Sequence, residues 1–453
     1  MHRFTFKSAA LAVASAALLL AAGSPALAET VAIINAKIMT AGPQGTIENG
    51  TVVIRDGRID SVSAGNRTPS GARVIDAQGG VVTPGFYATG SELGAVEVGA
   101  LGNDLGVTNP DVSAAFDVQY GLDPASSLIP VARLGGITRA IVMPEVQGAG
   151  DGDRDEGVTD FAGSGPSSVS HVLFAGQAAV IQLSGVDLLV KPKVGMVVPF
   201  GRSGARIAGG ARGAEIVALK ALFADVRDYA RNRDAVRRGN YREMSLSIAD
   251  LEALVPVVEG RMPIIAQVNK ASDIRGLLKF AREEGVKLII DGGAEAWMVA
   301  PELAAAHVPV LLNPLNDLPA SFEQINSTLE NAARLEAAGV MVAIENSDNG
   351  AHRARETRYN AGDAVANGMT YAGALRAITI NPATIFGVAD RSGSLEPDKD
   401  ADVVVWSGDP FEPLSQPTAL FVRGQQQVLT SRQMELRDRY RNLNTAYPPS
   451  YSH

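Results

Sequence analysis

The alternation of short apolar segments with helical segments constrains the fold of this 453-residue chain more than any other feature. Segments such as "ITRAIVMPE", "MPIIAQV", "VKLIIDGG" and "VMVAIENSD" are typical of strands, and "GAEIVALKALFADVRDYARNRDAV" and "ASFEQINSTLENAARLEAAG" are typical of helices. Strands that are apolar throughout and alternate with helices indicate a parallel sheet covered on both faces. Seven or eight such units predict an α/β fold, a (β/α)8 TIM-like barrel over residues 83–387.

The residue pattern at the two ends of the chain differs from that of the middle. "TVAIINAKIMT" and "GTIENGTVVIRDGRIDSVSAG" read as a strand and a hairpin, and "DADVVVWSGDP" and "PTALFVRGQQQVLTSR" repeat the pattern near the end. We expect residues 29–82 and 388–430 to form one small β-sandwich domain from both chain ends. A charged helical tail, residues 431–453, follows.

Residues 1–28 have the pattern of a secretory signal peptide. Arg3 and Lys7 precede an apolar core that is short for a membrane span, and the small residues Ala26 and Ala28 mark a cleavage site after Ala28. This pattern predicts a periplasmic or secreted protein, with no membrane insertion after cleavage. The absence of cysteine excludes disulfides and thiolate metal ligands, and the net charge of −9 argues against nucleic acid as a partner.

A segment rich in Gly, Asp and Ser, residues 145–168, interrupts the strand–helix rhythm and predicts a long exposed loop. Its carboxylates have the opening spacing of a calcium-binding loop. However, Glu156 occupies the position of that loop's turn glycine, and Ala162 that of its closing glutamate. A solvated loop is therefore the favoured interpretation.

Three features together resemble the amidohydrolase superfamily, and more narrowly its periplasmic imidazolonepropionase- and dipeptidase-like branch. They are "VVTPGFYATGSELG" at residues 81–94, the barrel pattern, and "LRAITINPATIFGVADRSGSLEPDKDADVVVW" at residues 375–406. The resemblance covers nearly the whole chain after residue 28. It implies a metal-dependent hydrolase acting on non-peptide C–N bonds, in which one or two divalent ions activate a water.

The same resemblance implies metal ligands at the ends of barrel strands, but this chain departs from the pattern at most of them. Gly90 and Glu92 stand where the first strand of the family carries two histidines, and Gln267 and Gly292 stand where the fifth and sixth strands carry one each. Only the aspartate of the eighth strand is kept, as Asp348. Lys191 and Lys193 lie in the region of a bridging lysine, without a register to choose between them.

Four histidines follow the predicted cleavage site, namely His171, His307, His352 and His453. His307 is expected to end a helix. His352 follows Asp348 by four residues, at the predicted mouth of the barrel, so the two could form an acid/base pair.

Two functions are favoured by the sequence, and a structural or ligand-sequestering protein unrelated to hydrolysis is a third alternative. In the first, the fold is kept while the metal site is lost, giving a binding protein or the partner subunit of an intact amidohydrolase homologue; the divalent metal expected for the family is then absent or weakly bound. In the second, a divergent hydrolase uses Asp348 with Glu92 or His352. Gln267 and Asn313, at strand ends, are the candidate substrate-binding residues, and a homo-oligomer is the alternative assembly.

Overall fold

The computed structural model describes residues 29–97, 104–145, 173–315, 319, 321–345 and 351–441. The predicted signal peptide, nearly all of the predicted loop, His171, Asp348 and His453 lie outside the described residues. Within the part of the chain that the structure describes, no helix is long and apolar enough to cross a membrane.

The middle of the chain folds into a nearly closed eight-stranded sheet. Neighbouring strands follow one another in sequence order: β6 Phe86–Ser91, β7 Ile137–Val142, β8 Gly176–Gln182, β9 Leu189–Pro199, β10 Ile264–Val268, β11 Leu288–Gly292, β12 Val310–Leu312 and β13 Val342–Ile344. A parallel bridge between Thr89 and Glu345 brings the two edges together. The predicted TIM-like barrel is thus present in outline.

One strand departs from the predicted parallel arrangement. β8 pairs antiparallel with both β7 and β9, whereas the other neighbours in the barrel sheet pair in parallel. Residues 183–188 join β8 to β9, and this connection is too short for the crossover that a parallel pair requires. The prediction of eight parallel βα units is therefore wrong at its third strand.

Helices cover the outside of the barrel. The described helices are α1 Leu128–Arg133, α2 Arg202–Ile207, α3 Arg212–Arg237, α4 Ile248–Val258, α5 Ala271–Glu284, α6 Ala300–Ala305, α7 Asn331–Ala337, α8 Thr357–Ala366, α9 Tyr371–Ala377, α10 Ile380–Ile385 and α11 Arg432–Tyr440. The helix predicted over residues 320–339 forms only at its end, as α7. Upstream, Ser327 Oγ donates to the carbonyl of Gln324, and the Asn326 amide donates to Glu295 Oε1, so polar side chains satisfy the backbone in turns.

The barrel strands are apolar on both faces because each face is covered. Ile265, Ile289 and Leu311 point into the barrel, where they form one buried cluster. Their neighbours Ile264 and Ile290 point outward and pack under the helices. This double burial explains why the sequence of these strands shows apolar runs without alternation.

The two chain ends form a second, mixed sheet of eight strands. Its members are β1 Val31–Met39, β2 Thr46–Arg55, β3 Arg58–Ala64, β4 Arg73–Asp76, β5 Val81–Pro84, β14 Val403–Trp406, β15 Pro417–Val422 and β16 Gln425–Gln426. The ends meet where β5 pairs antiparallel with β14. The pairing gives one continuous path, with β4 attached to β1, so the predicted sandwich of two sheets is not confirmed.

A buried ion pair fixes the barrel against the returning C-terminal segment. Arg139 in β7 is fully buried; its Nη2 lies 2.7 Å from Asp400 Oδ2, and its Nε lies 2.5 Å from Asp402 Oδ2. Nearby, the Tyr87 hydroxyl is 2.5 Å from Ser392 Oγ. These contacts connect β6 and β7 to the segment that leads into the second sheet. Separating them would leave a buried charge without its partner, so the junction holds the two strands in place.

Candidate functional site

The carboxyl ends of three barrel strands bring polar side chains to one edge of the sheet, beside a glycine of a fourth strand. β10 supplies Gln267, β11 supplies Asp291, and Glu345 follows β13 directly, while Gly90 lies in β6. Gln267 and Asp291 are direct neighbours in the parallel register. This end of a barrel is where enzymes of this architecture place their active sites.

The Glu345 side chain lies in the space that a side chain at position 90 would need. Gly90 has a left-handed backbone, with φ of +64°, at an irregularity in the pairing of β6 with β7. A Cβ atom built there would lie 2.7 Å from Glu345 Oε1 and 3.2 Å from its Cδ. Glycine is therefore favoured at this position for two reasons: the left-handed backbone angle, and the lack of space for a Cβ atom beside Glu345.

Glu345 and Asp291 form a hydrogen-bonded carboxyl pair. Burial raises the pKa of both groups, and the charge of Asp291 raises the pKa of Glu345 further, well above its ordinary value. Two carboxyl groups that share a hydrogen bond must hold a proton between them, so the pair carries at most one negative charge. Gln267 Nε2 donates to Asp291 Oδ2 at 3.3 Å.

The other oxygen of Glu345 has no such partner. Glu345 Oε1 is buried, beside Gly90, without a hydrogen bond to any described residue. Asn360 Nδ2 holds the Glu345 backbone by donating to its carbonyl at 2.9 Å. The glutamate is thus fixed in position while one of its acceptors stays unsatisfied, a condition that favours the protonated acid.

Glu92 lies at the rim of the same edge and is partly buried. Burial, and then the charge of Glu145, raise its pKa to about 7, while a hydrogen bond from the Ala351 amide to Glu92 Oε2, at 3.2 Å, acts in the opposite direction. The carboxyl therefore exchanges its proton near neutral pH, which is the property of a general acid or base.

The side chains that the structure describes at these strand ends do not fit a dinuclear metal centre. Among the described residues, no group of three or more His, Asp or Glu side chains is arranged to hold a metal ion. Gly90 and Gly292 offer no ligand, and a Cβ at Gly292 would lie 2.8 Å from Asn269 Oδ1. Zinc prefers nitrogen or sulfur donors, whereas the groups gathered here are oxygens tied to each other.

The remaining predicted residues are separated from the carboxyl pair or uninvolved. Asn313 follows β12 at the same edge, where its Oδ1 accepts from the Leu315 amide in a local turn. His352 is exposed, and its imidazole bonds no other described residue. Its proposed partner Asp348 lies outside the described residues, so the predicted pair remains a prediction.

Two lysines expected near the metal lie elsewhere. Lys191 and Lys193 are in the first half of β9, at the opposite end of the barrel. Lys191 Nζ donates to the carbonyls of Phe386 and Gly387, 3.0 Å away in each case. Neither lysine is therefore placed to bridge two metal ions at the other end.

Sequence reasoning missed Glu345. The chain reads "VMVAIENSD", and attention to Asp348 passed over the acidic residue that directly ends the apolar run. The same signal, an acidic residue at the end of an apolar strand, is present in "VKLIIDGG", where it marks Asp291. In parallel strands such residues converge on one edge, and this rule would have found the pair.

Residues 257–431 match the family model described as "Amidohydrolase family". The amidohydrolase tasK of Hapsidospora irregularis is 22% identical over 400 residues, an alignment that covers 83% of this chain. This chain spans only 39% of that relative's length.

Solved structures share the fold. The amidohydrolase from Thermotoga maritima MSB8 superposes with a TM-score of 0.74 at 25% identity, over 89% of this chain and 100% of that one. Molinate hydrolase superposes with a TM-score of 0.52 at 16% identity, over 89% and 95% of the two chains, and this likeness concerns the fold alone.

Proposed function

We propose that this chain is a non-catalytic member of the amidohydrolase superfamily and that its barrel binds a small polar ligand. The position of Glu345 carries the proposal. Its side chain fills the place beside Gly90 and bonds Asp291, so the strand ends are linked by a shared proton. Gln267, Asp291 and Glu92 then offer hydrogen bonds to a ligand without activating a water.

Metal content and hydrolysis together test this proposal. The chain is equilibrated with zinc, dialysed, and analysed by inductively coupled plasma mass spectrometry; then amide and dipeptide hydrolysis is measured with and without a chelator. We expect far less than one zinc per chain and no chelator-sensitive turnover. About one bound zinc per chain, with turnover that a chelator abolishes, would contradict the proposal.

A second candidate, a metal-independent hydrolase, is favoured by Glu92. Its pKa of about 7 suits proton transfer at neutral pH, and Asp348 with His352 would be its further acid/base groups. Glu92→Gln and Asp348→Asn would each abolish chelator-resistant hydrolysis under this candidate. Hydrolysis that survives both substitutions would exclude it.

The predicted location and assembly complete the proposal. A periplasmic or secreted protein would leave the cell interior after cleavage at Ala28, and a partner subunit could be an intact amidohydrolase homologue or a second copy. Mass spectrometry of the N-terminus and size-exclusion chromatography with light scattering test these two points. A retained Met1, or a monomer at every concentration, would count against them.

A further inference from the structure

We infer that the groove at the amino ends of the barrel strands is a binding site for a compact, soluble anion that carries several phosphate groups. This inference is independent of the proposed function, since it concerns the opposite end of the barrel. β10 alone spans five residues between the two ends, which is roughly 13 Å of separation along the strand.

The groove lies where β9 to β12 begin, with the residues after α10 closing its floor. Its volume is about 970 Å³, within the range of small-molecule sites. Seven lysine and arginine side chains and His307 line it, against one carboxylate, Glu302. Such an excess of cations is notable in a chain whose net charge is −9.

The cations fall into two groups. Some are already engaged: Lys191 bonds two backbone carbonyls, and Arg275 Nε lies 2.8 Å from Glu302 Oε1. Lys193 and Lys287 are exposed, and neither forms a hydrogen bond or ion pair with any described residue. Arg282, also exposed, forms none either, although the charge of Glu283 is near it. The second group is available to a ligand.

His307 adds an independent observation. It follows α6 with φ of +53°, and the amide of Val308 bonds the carbonyl of Leu303 behind it. The equivalent positions after α5 and α7 hold Gly285 and Gly339, with φ of +69° and +83°. A left-handed helix end favours glycine, so the imidazole stands on the groove wall at an energetic cost.

Charge distribution selects the class of ligand. Several unpaired cations exceed what a monoanion would neutralise, and guanidinium groups match the geometry of phosphate oxygens. The rest of the chain is more acidic than the whole, so it repels an extended polyanion or an anionic surface laid across it. A compact anion with several phosphates enters the groove without meeting that charge.

Isothermal titration calorimetry with sodium tripolyphosphate, on the full chain in about 50 mM salt, tests the inference. The test variant combines Lys193→Gln, Arg282→Gln and Lys287→Gln. The control variant makes the same change in charge at exposed positions outside the groove, by Arg67→Gln, Arg231→Gln and Arg439→Gln. We expect saturable one-to-one binding that the test variant weakens at least about tenfold and the control less than about twofold.

Three results would overturn the inference. The first is no binding by the parent chain at millimolar tripolyphosphate. The second is equal weakening in both variants, which would indicate attraction by overall charge. The third is binding only to vesicles of phosphatidylcholine with phosphatidic acid, which would indicate a membrane surface instead. Circular dichroism of all three proteins verifies that each is folded.

Discussion

The two ends of the barrel carry different ionisable groups in different surroundings, with acidic side chains buried at the carboxyl end and basic side chains exposed at the amino end. At the carboxyl end, Asp291 and Glu345 are buried together, and their raised pKa values follow from lost hydration. At the amino end, Lys193 and Lys287 are exposed to water. Burial thus disfavours the charged form of the carboxyl groups at one end, whereas the lysine side chains at the other end are in contact with solvent. One barrel therefore presents hydrogen-bonding acids at its mouth and a cationic groove beneath.

The largest effect is expected from placing a side chain at position 90, at the carboxyl end of the barrel. Gly90→His should lower the free energy of unfolding by about 3 kcal/mol or more, since it adds overpacking against Glu345 to an unfavourable backbone angle. Gly45→His is the matched control, because Gly45 has the same φ of +64° with nothing within 4 Å of a Cβ. It should cost about 1 kcal/mol. Urea unfolding measures both.

Adding Glu345→Ala to each variant isolates the contact. Removal of the glutamate should recover part of the loss in the Gly90→His protein and none in the Gly45→His protein. Equal costs for the two histidine variants would show that Glu345 does not occupy the space beside Gly90.

The next effect concerns the dependence of stability on pH that arises from Glu92. Glu92 has an ordinary pKa of 4.5 when unfolded and about 7 when folded, so the folded state binds more protons between these values. Stability should therefore fall as pH rises from 4.5 to about 7, by on the order of 2 kcal/mol after a discount for solvent screening of this partly buried group. Glu92→Gln should remove this part of the slope. Parallel pH profiles for the two proteins would contradict the pKa assigned to Glu92.

A smaller effect is expected on the groove wall. His307→Gly should raise the free energy of unfolding by about 1 kcal/mol by relieving a left-handed backbone. The reverse change, Gly285→His after α5, should lower it by a similar amount. A loss of stability in His307→Gly would show that the imidazole has a structural role that outweighs the strain.

The smallest effect concerns repulsion between the groove cations. Without an anion, replacing Lys193, Arg282 and Lys287 by Gln should raise the melting temperature slightly, by the equivalent of about 0.5 kcal/mol, at low salt. The gain should disappear in high salt because exposed charges are screened. A gain that salt does not reduce would point to helix propensity or packing instead.

Much of the fold could be predicted, because it follows from local patterns. The apolar runs of β10 and β11 and the long helix α3 lie where their periodicity indicated. The reversal of β8 could not be read from the sequence, since a fully buried strand shows the same apolar run in either direction. The single sheet formed by the chain ends likewise depends on pairing between β5 and β14, far apart in sequence.

For the candidate site too, some features follow from the sequence and others only from the fold. The sequence by itself determined that positions 90, 92, 267 and 292 hold Gly, Glu, Gln and Gly, and residue type sets which groups can act as ligands. Only the tertiary structure decided which groups meet at the strand ends: strand closure brings Glu345 against Gly90 and Asp291. The groove cations, from segments about a hundred residues apart, also meet only in the folded barrel. Long-range packing sets the distances between these side chains and their contact with water. Both of these determine how strongly the charged form of a side chain is favoured.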